Sequence, residues 1–475
     1  MLFSSLLFLY VFLPAVLILI LLSPRRWHNG LLLFASLFFY AWGGVSYSLL
    51  LLGSILLNYA IGLAIDRAGT PMRKRNWLIT GLIVNIGLLV IFKYTNFFLD
   101  NLNLYLPAAQ RIDFKPIVLP LGISFFTFQA ISYIVDVYQH RTPVQRKLPH
   151  LALYIAFFPQ LIAGPIVRYH DIAHQIRARR MSWPLFASGV ERFILGLAKK
   201  VLLANNFAPL ADDIFAVAPT DLDPLSAWMG VLMYTLQIYF DFSGYSDMAI
   251  GLGRMFGFRI PENFNFPYIA RSIREFWRRW HISLSQWFRD YLYIPLGGNR
   301  KGNGRTYFNL FVVFLLTGLW HGAAWNFLLW GLFHGLFLIL ERLGLEKWLE
   351  RTGRWSGHIY TLLVVMLAWV LFRAPNLDHA WHYYRALFGR GAPSDTPFDL
   401  AFYLGPEFWL ALGIGLLACT PVFRVLTKIM EKSFRGKPVD VVFQLITTLG
   451  LMLMFLYATL ELATESYNPF IYFRF

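Results

Sequence analysis

The sequence contains very little charge and almost no cysteine. Only 14% of its 475 residues are Asp, Glu, Lys or Arg, whereas soluble domains carry about 25%, so an ordinary soluble enzyme is excluded. The single cysteine, Cys419, excludes an internal disulfide and a cysteine-based metal cluster. The apolar segment 3–22 also lacks a basic region before it and a small-residue cleavage site, so we expect a first membrane span and not a removable signal peptide.

Hydrophobic and aromatic residues take the place of the missing charge. The chain is 57% hydrophobic and 18% aromatic, which is typical of a protein that crosses a membrane several times and has aromatic belts at the membrane surfaces. The 42 Lys and Arg residues outnumber the 26 acids. In a membrane protein this excess indicates basic cytoplasmic loops that meet lipid headgroups, and we expect no nucleic-acid partner.

Twelve apolar stretches are candidate spans, since a helix needs about 20 apolar residues to cross the hydrocarbon core. They lie near residues 3–22, 31–45, 47–65, 77–94, 117–138, 186–204, 227–253, 307–320, 323–340, 359–373, 404–423 and 441–460. The stretch 151–167 contains Pro159 and Pro165 and has arginines at both ends, so we expect a re-entrant segment there. The sequence thus predicts an all-α polytopic membrane protein with about 11–12 transmembrane helices plus re-entrant and interfacial helices, as a single membrane domain over residues 1–475.

His321 stands out because it lies in a long segment without charged residues. From Thr306 to Leu340 the chain has no Asp, Glu, Lys or Arg. An ionisable group at membrane depth is costly and is commonly functional, and imidazole can move a proton near neutral pH. His321 is therefore a candidate for catalysis or transport, with a structural role left open. His334 in the same segment is better interpreted as a hydrogen-bonded packing residue.

The segment before this one alternates arginines with bulky aromatic residues. The arginines are Arg271, Arg274, Arg278, Arg279 and Arg289, and the aromatics are Phe276, Trp277, Trp280, Trp287, Phe288 and Tyr291. This spacing predicts a helix that lies at the membrane surface. It either anchors on anionic lipid or forms a cytoplasmic mouth where Arg278 and Arg279 hold a phosphate-bearing donor. His281 lies within this predicted helix, where such a donor enters.

Asp241 and Asp247 lie inside another predicted span, in YFDFSGYSDMAIGLG (239–253). Because they are six residues apart, they fall on different faces of a helix, and a simple catalytic pair of carboxylates is not expected. They cap a broken helix, or pair with Arg254 or the arginine-rich segment, or line a polar tunnel.

Several motifs spread over most of the chain belong together. They are LPLGISFFTFQAISYIVDVY (119–138), FFPQLIAGPIVR (157–168), QIYFDFSGYSDMAIGLGRMFGF (237–258), NFNFPYIARSIREFWRRWHISLSQWFRDYLYIPLGGNR (263–300), LLTGLWHGAAWNFLLWGLFHG (315–335) and PFIYFRF (469–475). With these motifs the chain resembles the membrane-bound O-acyltransferase family, in the branch that O-acetylates bacterial polysaccharides.

The resemblance implies helices packed around a central tunnel, with His321 at the active centre and His281 as a second functional histidine. An acetyl thioester, acetyl-CoA or another acyl thioester, would approach from the cytoplasm as the donor substrate, without a cofactor or a metal. His321 would act as a general base or hand the acetyl group on. Trp320, Trp325 and Asn326 are candidate donors to the carbonyl oxygen in the transition state.

The resemblance also implies a partner on the far side of the membrane. A periplasmic, serine-dependent acetyltransferase would receive the acetyl group and pass it to an exported polysaccharide, with alginate as the favoured acceptor. Acetylation of cellulose or another exopolysaccharide, and D-alanyl transfer to teichoic acid, stay open within the family. A transporter or channel stays open outside it, although the sequence shows no inverted repeat. We expect a multi-pass protein of the cell inner membrane.

Overall fold

Helices are the only regular secondary structure in the part of the chain that the structure describes. The computed structural model describes residues 1–390, 398–464 and 467–471, and no strand occurs within them. The prediction of an all-α protein is therefore confirmed. The end of the motif 469–475, from residue 472 onward, lies outside the described residues.

The α-helices of the described residues are numbered in chain order. They are α1 (Leu13–Leu22), α2 (His28–Ala41), α3 (Val45–Arg67), α4 (Pro71–Tyr105), α5 (Ile123–Tyr138), α6 (Leu148–Ala156), α7 (Phe158–Leu161), α8 (Tyr169–Ala178), α9 (Trp183–Ala198), α10 (Asn205–Ala216), α11 (Pro224–Met255), α12 (Ile273–Arg279), α13 (Ile282–Phe288), α14 (Asn303–His321), α15 (Trp325–Leu340), α16 (Glu346–Thr352), α17 (Arg354–Arg373), α18 (Leu377–Leu387), α19 (Pro406–Ala418), α20 (Val422–Phe434) and α21 (Pro438–Thr464). Short π-helical segments precede α1 and join α9 to α10 and α15 to α16.

Six helices of the described residues are long and apolar enough to cross a membrane, and the bent pair α19–α20 adds a seventh if it is one span. The six are Val45–Arg67, Pro71–Tyr105, Trp183–Ala216, Trp325–Thr352, Arg354–Arg373 and Val439–Thr464. The protein is thus a multi-pass membrane protein, but fewer helices meet these criteria than the 11–12 spans expected. Two predicted spans contain only short apolar helices, Phe8–Leu22 and Ile123–Tyr138. Others, such as α11 with its two aspartates, are long but are not among the helices that meet these criteria.

Packing divides the chain into two compact units. The first comprises 1–190, 249–261 and 289–291, and the second comprises 191–248, 262–288 and 292–475. Helices α9 and α11 each continue from one unit into the other. The single membrane domain expected from the sequence stays a prediction.

The expected re-entrant segment 151–167 is a broken and fully buried stretch of the first unit. The backbone leaves the helix at Phe157, between α6 and α7, and every residue of the segment is buried. The Phe158 N–H donates to Ser36 Oγ at 3.1 Å, and the Tyr154 hydroxyl donates to the Val167 carbonyl at 2.9 Å. Protein therefore surrounds the irregular backbone, which is the condition for such backbone at membrane depth.

A polar network ties residues 289–291 to the rest of the first unit. Arg168 pairs with Asp290 at 2.5 Å, and the Tyr291 hydroxyl donates to Asp136 Oδ1 at 2.9 Å. Burial alone would raise the pKa of Asp290, but a hydrogen bond from Arg289 and the charges of Arg289 and Arg168 hold this pKa below its ordinary value. Asp290 is thus ionised at neutral pH, and Asp136 accepts a hydrogen bond from Tyr291.

In the second unit, α14 and α15 form a tight hairpin. A Cβ atom added to Gly318 would lie 2.4 Å from the Phe327 carbonyl oxygen, and one added to Gly331 would lie 2.2 Å from the Phe314 carbonyl oxygen. Only glycine permits such a close approach of two backbones. The chain turns at residues 322–324, so His321 lies at the tip of the hairpin.

Candidate active site

His321 is the last residue of α14, and its side chain is buried, with 3% exposed. At 1.5 Å per residue, His321 lies about 27 Å along the helix axis from Asn303. The basic loop before Asn303 and His321 therefore lie at opposite ends of α14.

Aromatic rings surround the His321 imidazole. Its centroid lies 5.0 Å from that of Trp320, 4.8 Å from that of Trp330 and 5.3 Å from that of Phe372, and all three rings meet it edge to face. Such walls exclude water, and electrostatic interactions are stronger in the low dielectric that results. His321 is thus placed where a proton transfer would be shielded from solvent.

His281 lies in the break between α12 and α13, so the prediction of one continuous helix through it is wrong. Its side chain is fully buried, and its backbone has φ +43°. A residue other than glycine is uncommon in this left-handed region. Backbone strain of this kind is frequent at functional sites.

Asn263 determines which nitrogen of a neutral His281 carries the proton. The Ser283 N–H can only donate, and it lies 3.2 Å from the Asn263 amide atom assigned as Oδ1, so this atom must be the oxygen. The same oxygen lies 3.1 Å from His281 Nδ1, which therefore carries the proton. Nε2 keeps the lone pair, and this buried atom has no hydrogen-bond partner among the described residues. Asn263 itself is held by a 3.1 Å bond from its Nδ2 to Ser246 Oγ on α11.

The fold brings the two histidines together although they are far apart in the sequence. The ring centroids of His281 and His321 are 6.5 Å apart, and the Trp320 ring lies 6.0 Å from that of His281. The Phe242 ring closes the other side of His281 at 4.7 Å. Two imidazoles in one aromatic enclosure can accept and return a proton on either side of a reacting group.

His334 packs against this cluster through ring contacts. Its ring is parallel to that of Phe276, with centroids 6.2 Å apart, and it meets the edges of Trp277 and Trp330. Neither ring nitrogen has a hydrogen-bond partner within the described part of the chain. The packing role expected for His334 fits, but aromatic contacts and not hydrogen bonds provide it.

The arginine-rich segment turns its aromatic side chains into the protein. Phe276 and Trp277 are buried, and Trp277 packs on Phe314 and Trp330 at 5.2 and 5.8 Å between centroids. These rings therefore do not form a face that anchors in lipid, and the interpretation as a lipid anchor is wrong for them.

Glu341 stabilises the start of α12, because its carboxylate accepts the Arg274 N–H at 3.0 Å.

Arg278 and Arg279, both predicted to hold a donor, differ in their surroundings. Arg278 is exposed. Arg279 is half-buried and pairs with Glu275 at 2.8 Å, and it also donates to the Asn265 carbonyl at 3.1 Å. Arg278 is therefore the more available of the two for an anionic ligand.

Asp247 forms salt bridges with two basic residues, Arg192 of α9 and Lys199 of the π-helical segment that follows α9. Its carboxylate lies 2.6 Å from Arg192 and 2.7 Å from Lys199, and Arg192 also pairs with Glu262 at 2.5 Å. Helix α11 runs unbroken through this position, so the prediction that Asp241 and Asp247 cap a broken helix is wrong.

Asp241 forms a deeply buried ion pair with Lys200. The two atoms, Asp241 Oδ1 and Lys200 Nζ, are 2.9 Å apart, and the side chains are 1% and 3% exposed. Asp241 Oδ2 accepts the Ile471 N–H at 2.8 Å, and Lys200 donates to Asn205 Oδ1 at 2.7 Å and to the Pro469 carbonyl. The pair therefore connects the segment 469–471 to the helical segments that carry Asp241 and Lys200, within the second unit.

The Asn326 side chain is not available as a hydrogen-bond donor to an oxyanion, the role that the sequence suggested. Its Nδ2 donates to the carbonyls of Leu371 and Ala374 at 3.2 and 2.8 Å, so its N–H groups are already used. Its buried Oδ1 accepts no hydrogen bond from the described residues. Trp325 is 51% exposed, which places it outside the buried cluster, whereas Trp320 lies against the His321 ring.

A cavity of about 270 Å³ lies at the tip of the α14–α15 hairpin. Its lining includes Ala324, Asn326, Phe327, Phe372, Gln237 and Arg373. Phe372 both lines the cavity and contacts the His321 ring, so the candidate base lies directly behind the cavity wall. The tunnel implied by the resemblance stays a prediction.

Sequence reasoning missed the partners that hold this site. Lys199 and Lys200 are two consecutive lysines inside a predicted span, and charged residues in a span indicate buried partners of opposite charge. Asn263 is an uncharged residue in a motif of aromatic residues, and Gln237 lies in the span of the two aspartates. No pattern in the sequence marks these two amides as neighbours of the histidines or of the cavity.

Comparison with known proteins shows what the chain is similar to. The model of the MBOAT, membrane-bound O-acyltransferase family matches residues 143–377, a range that includes both histidines. The chain is 44% identical to the probable alginate O-acetylase AlgI of Azotobacter vinelandii over 100% of both chains. It is 42% identical to the peptidoglycan O-acetyltransferase of Helicobacter pylori, over 82% of this chain and 80% of that protein. It is 28% identical to the teichoic acid D-alanyltransferase of Bacillus subtilis, over 57% of this chain and 69% of that protein.

Proposed function

Because the chain belongs to the membrane-bound O-acyltransferase family and is an O-acyltransferase, we propose that it O-acetylates an exported polysaccharide, alginate. The donor is an acyl thioester, acetyl-CoA, which enters from the cytoplasm. The acetyl group leaves on the periplasmic side of the inner membrane, where a serine-dependent acetyltransferase partner passes it to the polymer. Family membership sets aside the transporter and channel alternatives.

One observation carries the proposal for the site. Two buried histidines meet at 6.5 Å between ring centroids, one at the end of a helix and one with its free lone pair fixed by Asn263. Acyl transfer from a thioester to an alcohol needs a group that takes the alcohol proton and a group that returns a proton to the leaving thiolate. We assign both functions to His321, whose imidazole accepts the alcohol proton and can then return it to the thiolate.

In the proposed reaction, His321 takes the proton from the acceptor hydroxyl while the hydroxyl oxygen attacks the thioester carbonyl carbon. The tetrahedral intermediate collapses, the carbon–sulfur bond breaks, and the thiolate leaves with a proton from the imidazolium. The products are the acetyl ester and free thiol, so atoms and charges balance. His281 lies beside the arginine-rich segment, so we assign it to the thioester side, where Nε2 can accept a hydrogen bond from an amide N–H of the donor.

The exposed Arg278 is the residue best placed to attract the phosphates of the donor, because a guanidinium can bind phosphate bidentately. Arg279, Asp241 and Asp247 are engaged in ion pairs. We therefore assign them to the support of the site and not to direct contact with the donor.

The experiment replaces His321 by alanine in the full-length protein and measures acetate released by mild base from the exported polymer. Loss of a general base costs about 10²–10⁴-fold in rate, so acetylation should fall to background. His334→Leu is the matched control, since His334 is equally buried but only packs against rings. Normal acetylation with a stably expressed His321→Ala protein would show that His321 is not the base.

Peptidoglycan is the second candidate acceptor, because the Helicobacter pylori relative is named as a peptidoglycan O-acetyltransferase. Acetyl content measured separately in exopolysaccharide and in purified cell wall distinguishes the two. Acetate that disappears only from the wall in the His321→Ala strain would overturn the assignment to alginate. The exopolysaccharide fraction also tests cellulose, and D-alanine released by base from the cell wall tests D-alanyl transfer to teichoic acid.

A further inference from the structure

Helix α20 (Val422–Phe434) lies apart from the buried cluster of histidines and has no buried residue. Its axis departs by 70° from that of α19, which precedes it. Its last residue meets α21, since the Phe434 ring centroid lies 5.6 Å from that of Phe443. The described part of the chain therefore leaves the sides of α20 uncovered.

The side chains of α20 divide into an apolar half and a polar half. At about 100° per residue, one half of the helix circumference carries the apolar side chains Val422, Phe423, Val425, Leu426, Ile429, Met430 and Phe434. The first six of them are between 40% and 58% exposed. Such a continuous apolar surface is unfavourable in water, so an apolar phase is needed to cover this half.

The polar half carries a row of positive charge. Three basic residues, each one turn of helix after the last, form the row: Arg424, Lys428 and Lys432. All three are exposed, and none of them forms an ion pair within the described residues. Arg435 and Lys437 follow the helix, and Glu431 is the only acid between residues 422 and 437.

This division of the side chains determines where α20 lies relative to the membrane. If α20 continued across the membrane from α19, its row of charges would reach membrane depth, where ionisable groups are costly and normally paired. If α20 stood in water, its apolar half would be exposed. A helix in the plane of the membrane surface avoids both costs, and the 70° bend between α19 and α20 permits that orientation.

We infer that α20 binds the headgroups of anionic phospholipids through Arg424, Lys428 and Lys432, while its apolar half lies against the acyl chains. Guanidinium and ammonium groups bind phosphate oxygens, and an unpaired row of them attracts a headgroup of net negative charge. Basic segments beside spans face the cytoplasm, where the leaflet contains anionic lipid. The membrane surface is within reach, because α21, which is long enough to span, starts after only residues 435–437. This inference does not depend on the proposed function.

The single cysteine of the chain permits a direct test. In full-length protein with Cys419→Ser, the further substitution Leu426→Cys puts one thiol on the apolar half of α20, and a fluorophore is attached to it. The labelled protein is reconstituted in phosphatidylcholine vesicles that contain a small fraction of spin-labelled lipid. The spin-labelled lipid has either a phosphatidylglycerol or a phosphatidylcholine headgroup on the same acyl chains. Because a spin label quenches only a nearby fluorophore, the ratio of the two quenching efficiencies measures how far anionic lipid is enriched at α20.

We expect phosphatidylglycerol to quench about threefold more strongly than phosphatidylcholine, since each Lys or Arg at the surface adds to the attraction of anionic lipid. High salt should reduce this ratio by screening. The combined substitutions Arg424→Gln, Lys428→Gln and Lys432→Gln should bring the ratio to about one. The matched control combines Arg424→Lys, Lys428→Arg and Lys432→Arg, which retain the charges, and should keep the ratio of the native helix.

Three outcomes would overturn the inference. Equal quenching by the two lipids around the native helix would show that α20 does not select anionic headgroups. A preference that survives the three glutamine substitutions would show that other residues attract the lipid. No quenching by either lipid would show that protein, an acidic partner or a second copy of the chain, covers α20 in place of the bilayer. Thermal unfolding of each variant, followed by tryptophan fluorescence, checks that the protein is folded.

Discussion

The buried pair of Lys200 and Asp241 gives the sharpest test of how this site is supported. Replacing Lys200 by methionine keeps most of the length of the side chain but leaves the Asp241 carboxylate buried without its counter-ion. Both side chains are at most 3% exposed, so water cannot solvate the remaining charge. Breaking a buried pair on one side costs about 3–5 kcal/mol, and we expect this loss in the free energy of unfolding.

Two further variants apportion that loss. Lys199→Met is the control, since Lys199 is 28% exposed and Asp247 keeps Arg192 at 2.6 Å; the expected cost is about 1 kcal/mol or less. Asp241→Asn combined with Lys200→Met removes both charges and retains an oxygen for the Ile471 N–H. The double variant should recover most of the stability, because replacing both members of a buried pair is often neutral.

Thermal unfolding in detergent, followed by tryptophan fluorescence, measures all four proteins. The expected order of melting temperature is wild type, Lys199→Met and the double variant close together, and Lys200→Met clearly lowest. A Lys200→Met protein that melts with the wild type would show that Asp241 is hydrated or protonated. In that case the two residues would be better explained as parts of a polar tunnel.

Three further predictions concern the site and its frame. Asn263→Leu should lower acetyl transfer by purified protein by about tenfold or more. Asn263→Asp keeps an oxygen acceptor for His281 and should retain more activity. Equal losses in the two variants would refute the assignment of the His281 tautomer. Gly331→Leu should abolish folded, monodisperse protein in size-exclusion chromatography, because the new Cβ would lie 2.2 Å from the Phe314 carbonyl oxygen, and Gly87→Leu, with open space around Gly87, should not. Arg278→Ala should raise KM for acetyl-CoA several-fold, because a contact with the phosphates of the donor is lost. KM for the acceptor should change little. An unchanged KM for acetyl-CoA would assign Arg278 to lipid contact.

The sequence predicted the class of fold and the family because both depend on properties that are local along the chain. Low charge and long apolar stretches require helices at membrane depth, since every backbone group must be hydrogen-bonded internally. The break in 151–167 was marked by Pro159, which cannot continue a helix without disruption. The number of spans was less certain, because apolar residues that face other helices and those that face lipid look alike in a sequence.

About the site, the sequence predicted His321 from its position in a long segment without charged residues, and His281 from the arginine-rich motif and the family resemblance; the roles of both stay predictions. Only the tertiary structure placed their rings 6.5 Å apart, oriented His281 through Asn263, and put the Asn326 oxygen at the cavity in place of its N–H groups. It also paired Asp241 with Lys200 and Asp247 with Arg192 and Lys199, three basic residues that sequence reasoning had not linked to these aspartates. These outcomes depend on which side chains of distant segments meet and in what direction each hydrogen bond runs, and the order of residues along a chain does not contain that information locally.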